Sequence, residues 1–212
     1  MDEKKWLVFI DDLERAVEDP ARVFTDDKKD FDKNDKNNAP FERAKRDMGT
    51  THPAATPDAV VQITSTTEAQ NIVNLCRRRR VPVVPRGAGT GLEGGCVAYS
   101  GGVVIDTGLM KSMSLDRTQR TATVGAGALK NELNAFLEPH GFIFGPDPSS
   151  NPSIGGMAST GGSGLSTLKY GTSKENIVSM KVVTPKGDVI ETRRNVRKNS
   201  TGYDLNALYL GA

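Results

Sequence analysis

Apolar side chains at Trp6, Phe9, Ile10, Leu13 and Val17 recur at helical spacing and predict an amphipathic first helix ending at Pro20. Residues 25–38, TDDKKDFDKNDKNN, carry no such pattern; polar and mixed in charge, they read as a solvated loop or a weak helix. From Pro57 the pattern changes. Ala59–Ile63 predicts a short strand, and Ser65-Thr66-Thr67-Glu68 a capping box opening a helix whose buried face is Ala69, Ile72, Val73 and Cys76. Arg77–Arg80 close that helix where cations suit its dipole, a reading preferred to a nuclear-import or nucleic-acid segment. Strands are expected at Val81–Val84, Val103–Asp106 and Thr121–Val124. A helix stripe of Leu129, Leu133, Phe136 and Leu137 stops at Pro139 and Gly141, and Phe142–Phe144 reads as a short strand. Val178–Thr184, the turn Pro185-Lys186-Gly187-Asp188 and Val189–Glu191 form a β-hairpin signal. The closing GYDLNALYLGA is apolar and stops without a cap or polar tail, so it reads as a truncated domain.

Composition sharpens this outline. At 212 residues the chain suits one large domain or two small ones, and 36% hydrophobic residues with 22 glycines describe a globular protein. The first 48 residues hold 25 of the 54 charged side chains and no glycine, whereas residues 87–171 hold 18 of the glycines. A charged helical leader, 1–52, is therefore expected to precede a glycine-dense body, 53–212. No apolar run approaches the length of a membrane span. The start, MDEKKWLVFIDDLER, is neither a signal peptide nor an acid-poor transit peptide; the compartment is not fixed by the sequence, and an intracellular one, cytoplasmic or mitochondrial, is the expectation. Cys76 and Cys96 are too few for a disulfide framework, and with only His52 and His140 beside them they make no zinc site. A net charge of +2 does not mark a nucleic-acid binder.

The chemistry lies in the glycines. A strand followed by GAGTGLEGG frees the backbone to turn N–H groups toward an anion, as a phosphate requires. Residues 87–171 carry 5 basic and 6 acidic side chains, so backbone amides rather than cations are expected to bind there, with Arg86 the nearest cation. Gly89-Thr90-Gly91-Leu92-Glu93-Gly94 also matches the G-x-G-x-x-G of nicotinamide-binding folds, with Asp106 at a fitting distance. That site needs a helix directly after the loop, and LEGGCVAYSGG at 92–102 contains four glycines, each costing about 1 kcal/mol in a helix. A second cluster pairs stiff, polar Asp147-Pro148-Ser149-Ser150 with small, flexible Ile154–Gly162. Two such segments suit a long, flat, diphosphate-bearing ligand.

VPVVPRGAGTGLEGG, GPDPSSNPSIGGMASTGGSG, YGTSKENIVSMKVVTPKGDVIET and KNSTGYDLNALYLGA resemble, in order and spacing, the FAD-binding domain of the vanillyl-alcohol oxidase (PCMH) type of flavoprotein. Within it they are most similar to the D-lactate dehydrogenase and glycolate oxidase FAD-subunit group. The resemblance covers about residues 53–212. It implies an α+β FAD-binding domain of two subdomains, incomplete at its C-terminus, behind the helical leader. It places Pro85, Arg86, Gly87, Ala88, Gly89, Thr90 and Gly91 on the FAD diphosphate. Asp147, Pro148, Ser149, Ser150 and Ser153 fall on a second stretch along the cofactor, and Gly155, Gly156, Thr160, Gly161, Gly162 and Ser163 on a third, near the flavin and ribityl chain. Covalent relatives carry a histidine at the position of Thr90, so FAD is expected to be non-covalent. The implied activity is that of a D-2-hydroxyacid dehydrogenase passing hydride from the substrate α-carbon to flavin N5. Its substrate cap domain lies beyond these residues, so no catalytic or metal-ligating residue is assigned and the 212 residues alone are expected to be inactive. The alternatives are an alkyl-dihydroxyacetonephosphate synthase-like transferase and a non-catalytic binding module. Ser166–Lys169 has S-x-x-K spacing without its companion motifs, Asn199-Ser200-Thr201 has glycosylation spacing, and His140 reads as a helix-capping residue.

Overall fold

The computed structural model describes residues 3–26, 39–49, 51–193, 196, 198 and 200–211. It divides into two compact units, 1–109 with 183–188, and 110–182 with 189–212. Helices and strands are mixed through both, as expected of an α+β fold.

In the first unit, helix α1 (Glu3–Arg15) buries Phe9 and Leu13 completely, on the stripe that the periodicity marks. Strand β1 (Val23–Thr25) and helix α2 (Ala39–Ala44) follow, then β2 (Ala59–Gln62), α3 (Thr66–Arg79), β3 (Val83–Arg86) and β4 (Val103–Asp106). The four strands form one sheet in the order β1-β2-β4-β3, with β1 antiparallel to β2 and the other three parallel. β4 is central and buried at all four positions, which suits its unbroken Val-Val-Ile run. Phe41 and Ala44 of α2 pack with Val60, Val104 and Ala98. Leader residues are thus built into the same unit as the body: β1 pairs with β2 across the boundary expected at residue 52. Most of the segment 25–38 lies outside the described residues; Thr25 closes β1.

Arg22 is the leader's polar anchor. Its guanidinium donates to both carboxylate oxygens of Glu68, at 2.9 and 2.5 Å, with both side chains buried. Glu68 also accepts the N–H groups of Glu18 and Thr64 and the Thr64 hydroxyl. The capping box is therefore only half made. Ser65 Oγ accepts the Glu68 N–H, but the Glu68 carboxylate turns to Arg22 instead of back to the cap. At the far end of α3, Arg80 adopts a left-handed φ of 56° and the Val81 N–H donates to Cys76. This end of the helix, with Pro82 lacking an N–H, delays β3 to residue 83, two residues later than expected. The aligned C-terminal ends of the three parallel strands are Gln62, Asp106 and Arg86.

The second unit holds the hairpin β5 (Met113–Asp116) with β6 (Thr121–Val124), α4 (Lys130–Leu137), α5 (Ile154–Thr160), α6 (Thr167–Tyr170) and α7 (Ser173–Asn176). The strands β7 (Lys181–Val183) and β8 (Val189–Glu191) form the expected hairpin, whose turn belongs to the first unit, and α8 (Leu205–Tyr209) closes the chain. Phe142–Phe144 is not a strand. The Asn134 side chain occupies the Phe144 backbone instead, accepting its N–H at 2.8 Å and donating to its carbonyl. Asn206, on α8, is buried and donates to the carbonyls of Ile177 and Val178 while accepting the Thr192 hydroxyl.

Candidate functional site

The first glycine loop leaves the C-terminal end of β3, where ligands of parallel sheets commonly bind. Residues 91–100 form bends and turns without a helix, as the glycine content demands. The N–H groups of Gly87 through Glu93 donate to no described residue, which leaves seven successive amides open to a ligand. Gly94 ends the run by donating to Asp47 at 2.7 Å.

Two features keep the loop in this form. Gly89 has φ +70°, a left-handed conformation that side chains rarely adopt, and a Cβ there would strike the Arg86 guanidinium. Arg86 itself is buried, with Nη1 3.1 Å from Cys96 Sγ, so the cation lies beneath the loop as a support. Burial pushes the Cys96 thiol pKa up, the charge of Arg86 opposes that shift and that of Asp47 adds to it. Pro85 is exposed on β3, Ala88 exposed and Thr90 half-buried, and the Thr90 hydroxyl has no partner among the described residues. His52 sits beside the loop, its Nε2 4.0 Å from the exposed Glu93 carboxylate.

The second cluster differs in kind. Ile154–Gly162, expected to be flexible, is mostly the helix α5, capped by Ser153, whose buried hydroxyl accepts the Gly156 N–H. Ile154 and Gly155 donate to the carbonyls of Ala128 and Ala126 at 2.8 and 2.9 Å, so the first amides of this helix are already used. Gly155 is a packing glycine: a Cβ would lie 2.8 Å from that of Ala126. Gly161 and Gly162 both donate to the Met157 carbonyl and finish the helix. The Thr160 hydroxyl donates to Gly156, leaving its lone pairs free. Asp147 accepts the Ser166 N–H and hydroxyl at 2.7 and 2.8 Å, and these bonds hold its carboxyl below the usual carboxylate range. Pro148 offers its carbonyl to Lys130 Nζ at 2.8 Å. Ser149, Ser150 and Ser163 make no hydrogen bond to a described residue.

In the first unit the polar groups left open are the amides of 87–93 and the Thr90 hydroxyl; in the second they are the hydroxyls of Ser149, Ser150 and Ser163 and the lone pairs of Thr160. Arg86, Asp147, Ser153, Gly155, Gly161 and Gly162 are committed to the protein's own structure. Sequence reasoning missed Asp47, whose place beside the loop comes from 47 residues away. Among the described residues no three His, Cys, Asp or Glu side chains gather as a metal site, and no helix is long and apolar enough to cross a membrane.

Residues 57–193 match the family described as the FAD binding domain. The mitochondrial D-lactate dehydrogenase [cytochrome] of Arabidopsis thaliana is 42% identical over 157 residues, 74% of this chain and 28% of that protein. The glycolate oxidase subunit GlcD of Bacillus subtilis is 38% identical over 74% of this chain and 34% of its own. The D-2-hydroxyglutarate dehydrogenase of Stutzerimonas stutzeri is 35% identical over 96% of this chain and 42% of its own. The chain thus spans about a third of the length of these relatives. Among solved structures, an alkyldihydroxyacetonephosphate synthase superposes with a TM-score of 0.79 at 24% identity, over 97% of this chain and 40% of that one. A 6-hydroxy-D-nicotine oxidase from Arthrobacter nicotinovorans superposes with a TM-score of 0.66 at 24% identity, over 80% and 35%. These two likenesses speak to the fold. An open amide loop after a parallel strand, in a chain whose matched residues run through both units, leads to one assignment: the protein belongs to the FAD-binding domain family.

Proposed function

We propose that this chain is the FAD-binding part of a flavin-dependent D-2-hydroxyacid dehydrogenase. The observation that carries the reading is the run of open amides from Gly87 to Glu93. It supplies donors for a diphosphate where few cations are available, which is the donor set that FAD requires. Pro85 to Gly91 would follow the diphosphate. Ser149, Ser150, Thr160 and Ser163 would offer hydroxyls to the rest of the cofactor, and Asp147, Ser153, Gly155, Gly156, Gly161 and Gly162 would hold the backbone that presents them. The three sequence relatives described above, named as D-lactate, glycolate and D-2-hydroxyglutarate enzymes, favour this substrate class over the transferase whose structure is similar at 24% identity.

When bound, FAD supplies the acceptor for the hydride that leaves the substrate α-carbon. The part of this chain is to bind and orient it, and the Thr90 hydroxyl gives the flavin no nucleophilic nitrogen to bond, so non-covalent attachment through this loop is expected. A base for the substrate hydroxyl and an anchor for its carboxylate are not assigned to these residues, and the 212 residues alone are expected not to turn over. Titration of full-chain apoprotein with FAD, followed by absorption, should show saturable binding. Acid precipitation should leave the yellow cofactor in the supernatant. Dye reduction by the holoenzyme should respond to D-lactate, D-2-hydroxyglutarate or glycolate. Absence of FAD binding would refute the reading, flavin in the pellet would refute non-covalent attachment, and substrate-dependent reduction by residues 1–212 alone at about 1 s⁻¹ or faster would refute the inactivity of the piece.

A further inference from the structure

The segment Asp47–Gly49 meets the glycine loop at three places. Asp47 Oδ2 accepts the Gly94 N–H at 2.7 Å, and its other oxygen accepts the Gly49 N–H at 2.8 Å. The Met48 N–H donates to the Gly89 carbonyl at 3.0 Å. Gly49 packs so tightly on the Leu92 carbonyl that a Cβ would collide with it. The loop's two left-handed residues near this contact, Gly89 at φ +70° and Gly94 at φ +73°, are therefore tied to neighbouring residues of one short segment, Met48 and Asp47. Between them lie amides that make no bond of their own.

We infer that Asp47 is a positioning residue for the FAD diphosphate. Its carboxylate holds the loop at Gly94, directly after the open amides, and preorganises them for the anion. This inference rests on the proposed FAD site. Each oxygen of the carboxylate accepts a backbone N–H, and these two charge-assisted bonds offset part of its repulsion with a nearby diphosphate. Without it, the chain from Thr90 to Glu93 would have to be ordered by the ligand at the ligand's expense, and affinity would fall. Asn at this position still accepts one of the two N–H groups, whereas Ala accepts neither.

The experiment compares Asp47→Ala and Asp47→Asn with wild type in the full chain, measuring FAD dissociation constants and thermal midpoints of the apoproteins. Asp47→Ala is expected to weaken FAD at least tenfold with a midpoint within a few degrees of wild type, and Asp47→Asn to recover part of the loss. A purely structural Asp47 would instead lower the midpoint and leave affinity in place, which overturns the inference. So does wild-type affinity in both variants, or in Asp47→Asn alone should Asp47→Ala fail to fold. Failure of the wild-type protein itself to bind FAD would overturn the FAD site, and this inference with it.

Discussion

Replacing Glu68 by Gln tests how firmly the leader is joined to the body. Five donors meet this carboxylate: both Arg22 nitrogens, the N–H groups of Glu18 and Thr64, and the Thr64 hydroxyl. Burial alone would raise its pKa; the Arg22 and backbone hydrogen bonds more than offset that and hold it at about 2, against an ordinary value of 4.5. At about 1.4 kcal/mol per pKa unit the ionised form contributes roughly 3 kcal/mol of stability. Because the folded value is depressed, that stability is complete above about pH 4.5 and is lost as pH falls toward 2. Linkage places about 2 kcal/mol of the loss between pH 7 and pH 3.

Glu68→Gln keeps the size but turns an amide N–H₂ toward groups that are themselves donors, so about 3–5 kcal/mol should be lost at pH 7. Urea unfolding followed by circular dichroism at a series of pH values provides the measurement. The gap between wild type and variant should narrow by about 2 kcal/mol from pH 7 to pH 3, since only the wild type loses this interaction. Exposed carboxylates titrate alike in both proteins and cancel in the difference. A gap under about 1 kcal/mol at pH 7, or one that stays constant with pH, would refute the reasoning. Arg22→Met should cost a similar amount, and the double replacement Arg22→Met with Glu68→Leu should cost less than the two together, as for other buried pairs.

Gly89→Val should abolish FAD binding in a titration while circular dichroism stays unchanged, because the new side chain meets Arg86 in a left-handed conformation at a surface loop. Gly155→Val, by contrast, should lower thermal stability by about 1–3 kcal/mol, since its Cβ would press on Ala126 at 2.8 Å. Asn206→Ala should cost about 2–3 kcal/mol in denaturant unfolding, leaving the Thr192 hydroxyl and the Ile177 carbonyl without their buried partner.

Elements with a continuous pattern were legible from the sequence. β4 and α4 fall where their apolar residues place them, and the hairpin follows its proline-led turn. β1 was not, because three residues, Val-Phe-Thr, have no period to detect; they become a strand by pairing with β2. The same holds for Phe142–Phe144 in reverse. Its apolar character suggests a strand, but Asn134 satisfies the backbone that a neighbouring strand would have met. The leader's charge count suggested a separate segment, and the count could not see that Phe9, Leu13 and Phe41 are buried or that Arg22 is matched by Glu68.

The two glycine clusters look alike in sequence and differ in where their amides go. From Gly87 to Glu93 the N–H groups stay open, because Met48 takes a carbonyl and Asp47 takes the one N–H that ends the run. From Ile154 to Gly162 the amides are used by the helix, by Ser153 and by the carbonyls of Ala126 and Ala128. Small residues are required in both places, once for the left-handed turn at Gly89 over Arg86 and once so that α5 can approach Ala126. Residue type alone cannot separate these causes, since each depends on partners tens of positions away. The fate of the backbone N–H does separate them. Under the proposed FAD reading, the anion goes to the first cluster and the second contributes hydroxyls and shape, which is why Gly89→Val and Gly155→Val are expected to fail in different assays.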